Sequence, residues 1–125
     1  VIYFVGPSPA PPGRPIGSAG PTTAGRMDAF TPQLLRCGLR ATIGKGYRSR
    51  AVRRALQDSG GVHLAAIGGA GALLSKHIVS AEVVAYEDLG PESIRKLGVV
   101  DFPALVAYDA EGRSIYPAEQ KGGLT

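Results

Sequence analysis

Tryptophan is absent from this sequence of 125 residues, and cysteine and methionine occur once each. A single cysteine, Cys37, excludes an internal disulfide and cannot by itself hold an iron–sulfur cluster or a structural zinc. With Leu35 and Leu39 as neighbours it is expected to be a buried thiol acting as a small hydrophobe. Disulfide-free usage points to a reducing, cytoplasmic setting. No run approaches the roughly 18 apolar residues of a membrane-spanning helix. No charged segment leads into an apolar one as in a signal peptide. There is no initiator methionine, and the chain opens on the apolar run Val1-Ile2-Tyr3-Phe4-Val5. Chains seldom begin inside a strand, so a further N-terminal portion is expected.

Acidic residues are also missing from a long stretch. None lies between Ala29 and Gln57, where Arg36, Arg40, Lys45, Arg48, Arg50, Arg53 and Arg54 all fall. The net charge of +4 therefore hides a basic first half and an acidic second half. Such a field attracts anions. For Arg50, Arg53 and Arg54 the alternative is a solvated helix face. Only Tyr47 interleaves an aromatic ring with these charges, which disfavours nucleic acid as the partner. Charged residues amount to 19% and hydrophobic ones to 44%. That balance allows a core and fits either a partner-covered surface or buried glycine-rich loops.

The length suits one domain. Short β-rich runs alternate with helical ones. Val1–Val5 reads as a buried strand. From Gly6 to Gly25 eleven positions are glycine or proline, a density that breaks helix and strand alike and predicts an ordered functional loop. Thr31-Pro32 reads as an N-cap and first helical position of a helix that ends at Gly38. A strand over Leu39–Ile43, a helix over Ser49–Asp58 with Val52 and Leu56 inward, and a strand over Val62–Ile67 follow. Gly68-Gly69 reads as a tight turn and Ala70–His77 as a small-residue helix. Val79–Tyr86 reads as a strand, and Gly90-Pro91-Glu92 as the start of a helix through Ile94 and Leu97. Leu105–Tyr108 and Ser114–Tyr116 form a hairpin around Asp109–Gly112. The alternation predicts an α/β fold with a largely parallel sheet flanked by helices, whose binding loops follow Val5, Ile43 and Ile67.

Three segments carry candidate chemistry. In Gly20–Asp28 two hydroxyls, Thr22 and Thr23, and the Arg26 guanidinium stand among glycines, an arrangement suited to a carboxylate or phosphate. Thr22 and Thr23 capping a helix, with Arg26 paired to Asp28, is the alternative. Ile43-Gly44-Lys45-Gly46 leaves Lys45 unshielded between a strand and a helix N-terminus. It is not a P-loop, since Tyr47 stands where Ser or Thr is needed. Ile67–Ala72 lacks the spacing of a dinucleotide fingerprint. His63 and His77 have no visible constellation of partners and read as structural, and no metal-ligand spacing occurs.

Together GPSPAPPGRPIGSAGPTTAGRMD, IGKG, HLAAIGGAGALL and VVAYEDLG resemble the β-type part of class I fumarate hydratases and L-tartrate dehydratases, from Gly6 to about Tyr116. The resemblance implies a swivelling β/β/α domain, the whole of 1–125, closing over a site shared with an α-type part. That part would carry a [4Fe–4S] cluster whose open iron acts as a Lewis acid. In motif order, the resemblance implies that Arg26 and Lys45 bind the carboxylates of a small dicarboxylate. Thr22 would transfer a proton at carbon, with Lys45 as the second catalytic residue, and Thr23 would support the oxyanions. Arg14 either touches substrate or braces its loop. Tyr47 departs from the smaller polar residue expected after Gly46. The implied activity is reversible hydration of fumarate to L-malate by a homo-oligomeric complete enzyme. Tartrate dehydration and a non-catalytic anion-binding module remain the alternatives.

Overall fold

A computed structural model describes residues 1–67 and 70–117 of the chain. The expected turn at Gly68-Gly69 lies outside the described residues. In chain order the elements are β1 (Ile2–Tyr3), β2 (Val5–Pro7), β3 (Ala19–Pro21), α1 (Thr31–Arg36), β4 (Ala41–Gly44), α2 (Arg50–Ser59), β5 (Val62–Ala65), α3 (Gly71–Ser75), β6 (Ile78–Ala85), β7 (Ile94–Val99) and β8 (Leu105–Tyr108). Two 3₁₀ segments, Ala24–Met27 and Glu87–Glu92, complete them.

The chain divides into two compact units. The first comprises Val1–Phe4, Thr22–Ala66 and the chain from Ala104 onward. Its sheet runs β1-β4-β5-β8, parallel across the first three strands and antiparallel at β8. This is the expected α/β fold: a mostly parallel sheet with helices packed on it. The helix α2 forms where the sequence predicts it. Ser49 caps it by accepting a hydrogen bond from the Val52 amide at 3.3 Å, a contact typically worth about 1 kcal/mol. Gly60 ends it in the left-handed conformation, φ 74°. Val52 and Leu56 are fully buried and join Leu35, Ala55, Ala107 and Tyr108 in the core of this unit. Fully burying Val52 or Leu56 contributes roughly 1.5–3 kcal/mol each.

The second unit comprises Val5–Pro21 and Ile67–Pro103. It holds the antiparallel pairs β2–β3 and β6–β7. The helix α3 packs on β3 so closely that a Cβ on Gly71 would lie 2.9 Å from the Gly20 nitrogen. Ile16, Ala19 and Ile78 form its buried cluster.

Several expectations are corrected. Val1–Val5 is not one buried strand. The chain turns out of the first sheet at Phe4, and Val5–Pro7 pairs with Ala19–Pro21. The glycine- and proline-rich stretch therefore contains a short antiparallel pair and a 3₁₀ turn; the prolines of the pair, Pro7 and Pro21, are confined to the last position of each strand. The helix at Thr31 is capped one position earlier, at Phe30. No helix runs through Ile94 and Leu97. That segment is β7, laddered against β6, because β6 offers backbone partners along its length while Gly90, at φ 59° and ψ −117°, kinks the preceding 3₁₀ segment and no helix continues through it. At the hairpin after β8, the return strand shortens to a single bridge, Tyr108 to Ser114.

Candidate functional site

The carboxyl end of β4 gathers most of the candidate residues. Phe4 donates its amide to the Ile43 carbonyl at 2.8 Å, and there β1 leaves β4. The vacated edge is taken over by Thr22–Ala24. Lys45 donates its amide to the Thr22 carbonyl at 3.1 Å, and Ala24 donates to the Lys45 carbonyl at 2.9 Å. Thr23 and Lys45 are parallel bridge partners. Register partners in a ladder share a face, so Thr23 and Lys45 point to the same side. The 3₁₀ turn Ala24–Met27 follows at once and carries Arg26.

Glycine fits closely at this junction. A Cβ on Gly44 would lie 3.0 Å from the Ala24 Cβ and 3.2 Å from Phe4 Cδ2, so a side chain there needs these neighbours to shift by a few tenths of an ångström. Beyond Lys45, Gly46 takes φ 85°, in the left-handed region that favours glycine. Tyr47 packs edge-on against Tyr116 at 4.4 Å, and the Tyr116 hydroxyl donates to the Gly46 carbonyl at 3.3 Å. The Tyr47–Tyr116 pair thus braces the Lys45 turn.

Arg26, Lys45 and Thr23 are exposed, and Thr22 is half-buried. Among the described residues none of these side chains has an ion-pair or hydrogen-bond partner. The alternative roles fail: Thr23 is the residue before the 3₁₀ turn but its side chain caps nothing, and Asp28 pairs elsewhere. Arg14 is exposed and lies in the second unit, in the turn where its amide bonds the Pro11 carbonyl at 3.1 Å.

Asp28 is held by Arg48. The Arg48 Nε donates to Asp28 Oδ1 at 2.6 Å and the Ser49 amide donates to Oδ2 at 2.6 Å. Arg48 is fully buried. Its remaining nitrogens donate to the Thr31 hydroxyl at 2.7 Å and the Thr42 hydroxyl at 3.0 Å, with His63 Nδ1 at 3.3 Å. The guanidinium carbon lies 5.4 Å from the Phe4 ring centroid. His63 is likewise buried, 2.7 Å from the Thr42 hydroxyl. Burial, and then the Arg48 charge, push its pKa down to about 3. The neutral ring accepts at Nδ1 and keeps its proton on Nε2, a buried atom with no partner among the described residues.

This network corrects one expectation: His63 has a constellation of partners. Arg48, counted above among the cations of an anion-attracting field, is spent in the interior. Arg50 and Arg54 are exposed as a solvated face requires, while Arg53 stacks over Tyr108 at 5.3 Å. The available signal was polar residues at inward strand positions, Thr42 in β4 and its register partner His63 in β5. Cys37 is corrected too: it is exposed, because α1 ends before it and turns its side chain off the core. No group of three or more His, Cys, Asp or Glu gathers among the described residues. Their donor set does not fit an iron–sulfur cluster. No described helix is long and apolar enough to cross a membrane.

The first unit is thus an α/β domain with two cations, unpaired among the described residues, and two hydroxyls at the carboxyl end of a mostly parallel sheet. The chain's relatives narrow that class. The chain is 44% identical to the aerobic class I fumarate hydratase of Escherichia coli (strain K12), over 92% of this chain and 21% of that protein. It is 41% identical to fumarate hydratase 2 of Leishmania major, again over 92% and 21%. A Methanocaldococcus jannaschii protein named "Putative L(+)-tartrate dehydratase subunit beta" is 36% identical over 83% of this chain and 55% of its own length. The chain thus spans about a fifth of the length of the fumarate hydratases it matches. The family described as Fumarase C-terminus matches residues 1–119, and the chain belongs to that family.

Proposed function

We propose that this chain is the β-type part of an iron–sulfur hydro-lyase that reversibly hydrates fumarate to L-malate. The observation that carries the reading is the ladder from Lys45 to Thr22 and Ala24, which draws the hydroxyl pair, Arg26 and Lys45 from two segments of sequence to one strand end. Two cations on separate segments suit a substrate with two carboxylates. Arg26 supplies a bidentate fork and Lys45 a point charge. Thr23 shares the Lys45 face and supports the carboxylate oxygens. Thr22 moves the proton at carbon, with Lys45 as the second catalytic residue. A threonine hydroxyl is a weak base at its free pKa and needs an activating group, which this reading assigns to the α-type part. Arg14 either contacts the substrate or braces the proline-rich loop.

The [4Fe–4S] cluster of the complete enzyme is assigned to the α-type part, separate or fused, since this chain offers no ligand set for it. The complete enzyme is taken to be homo-oligomeric and to work in the reducing cytoplasm. A second substrate, tartrate, is favoured by the likeness to the tartrate dehydratase β subunit.

The test is anaerobic fumarate hydration, followed by loss of the enoate absorbance, after co-expression with an α-type part. Activity is expected only from the complex. Arg26→Ala is expected to lower kcat/KM by about 10- to 100-fold, the usual loss of a charged hydrogen bond. A complex that carries its cluster and turns over tartrate alone moves the assignment to tartrate dehydratase. Turnover of neither leaves an anion-binding module and sinks the hydro-lyase reading.

A further inference from the structure

We infer that Arg48 is a positioning residue for the anion-binding segment: it fixes the turn that carries Arg26 and keeps Asp28 from neutralising that arginine. The inference deepens the dicarboxylate reading above and rests on it for its kinetic part.

The turn Ala24–Met27 is tied at both ends. At its start the Ala24 amide bonds the Lys45 carbonyl. At its end the Met27 carbonyl accepts from the Thr31 hydroxyl at 2.8 Å, and that same hydroxyl accepts from Arg48. One residue later, both Asp28 oxygens are engaged, one by Arg48 Nε and one by the Ser49 amide. Arg48 therefore holds the exit of the turn through two separate residues while itself resting on Thr42 of β4. Removing a guanidinium from water altogether is expensive, and an apolar side chain fills such space at no such cost. What an apolar residue cannot do is capture a carboxylate.

That capture matters because of sequence. Asp28 stands two positions from Arg26 and is the only acid in residues 1–57. Released from Arg48, it is the natural counter-ion for Arg26 and competes with a substrate carboxylate. Arg48 thus leaves the exposed cation uncompensated, which is the state an anion-binding arginine needs.

The experiment uses the complex with the α-type part and compares wild type, Arg48→Met, Asp28→Asn and the double variant. The reading predicts that Arg48→Met lowers kcat/KM by about 10²-fold, chiefly through KM, as expected for a binding group moved by about 1 Å. Asp28→Asn in that background recovers roughly tenfold of it, because the competing charge is gone. Hydrogen exchange quickens across Ala24–Met27 while α2 stays protected. A wild-type KM for Arg48→Met overturns the inference, as does a loss in kcat alone or no recovery on removing the Asp28 charge. If Arg48→Met does not fold, Asp28→Asn alone decides, by exchange: faster at Ala24–Met27 supports the tie and unchanged overturns it. A wild-type complex inactive on fumarate and tartrate sinks the hydro-lyase reading separately. The exchange data then decide alone whether Arg48 holds the segment.

Discussion

Replacing His63 by Gln should flatten the acid side of the stability profile. The ring is buried between Thr42 and Arg48, and its folded-state pKa is pushed down to about 3 from an ordinary 6.5. As pH falls below 6.5 the unfolded chain takes up a proton that the folded chain refuses, so folding loses stability. Each pH unit in that window costs about 1.4 kcal/mol. Between about pH 7 and pH 5 the wild type should therefore lose about 2 kcal/mol through this residue alone. The loss is nearly independent of the exact folded-state pKa, provided it lies below 5. Other titrating groups are shared by the variant and cancel in the difference. The assay is equilibrium urea unfolding of both proteins across that range, with the His63 ring resonances followed by NMR. The gap between the two stabilities should narrow by about 2 kcal/mol on acidification, while the native ring shifts stay constant. Parallel stability curves, or a native ring that titrates near 6.5, would refute burial of a neutral imidazole beside Arg48.

Two glycines offer tests of the packing. Gly71→Ala would drive a Cβ to 2.9 Å from the Gly20 nitrogen; because backbone yields little, unfolding should show a loss of about 1–3 kcal/mol. Gly44→Ala meets the Ala24 Cβ at 3.0 Å and the Phe4 ring at 3.2 Å. Prying these apart displaces Thr22 relative to Lys45, so fumarate kcat/KM should fall by roughly tenfold or more in the assembled enzyme. An unchanged value would separate the ladder from catalysis.

What could be read from sequence depended on how local its cause was. Helix α2 was legible because its cap Ser49, its inward Val52 and Leu56 and its stop Gly60 all lie within twelve consecutive residues. The turn at Asp109–Gly112 was equally self-contained, with Asp109 accepting from the Glu111 and Arg113 amides. The segment Ile94–Val99 was not, since apolar residues at 94 and 97 fit a helix face as well as they fit this strand. Only β6, laid alongside, decides between them. The run Val1–Val5 concealed a division of labour, because adjoining residues serve different sheets. At the site, Thr22, Arg26 and Lys45 are individually visible as polar groups among glycines. The junction of their two segments is made by main-chain bonds from Lys45 to Thr22 and Ala24, which leave no local trace. The partnership of Asp28 with Arg48, twenty residues away, was hidden by the nearer Arg26.

The Thr22 amide donates to the Phe4 carbonyl at 2.8 Å, so the proline-rich excursion between them starts and finishes at one stitch. Lengthening a closed loop costs only about 0.6 kcal/mol per doubling, and here both ends are pinned to the sheet independently of what lies between. Residues can be added or lost near the apex around Pro11–Gly13 without slipping Thr22 and Thr23 against Lys45. The apex alone is thus free to change length, while Ile16 and Ala19 keep their buried places and the hydroxyls that follow keep their address.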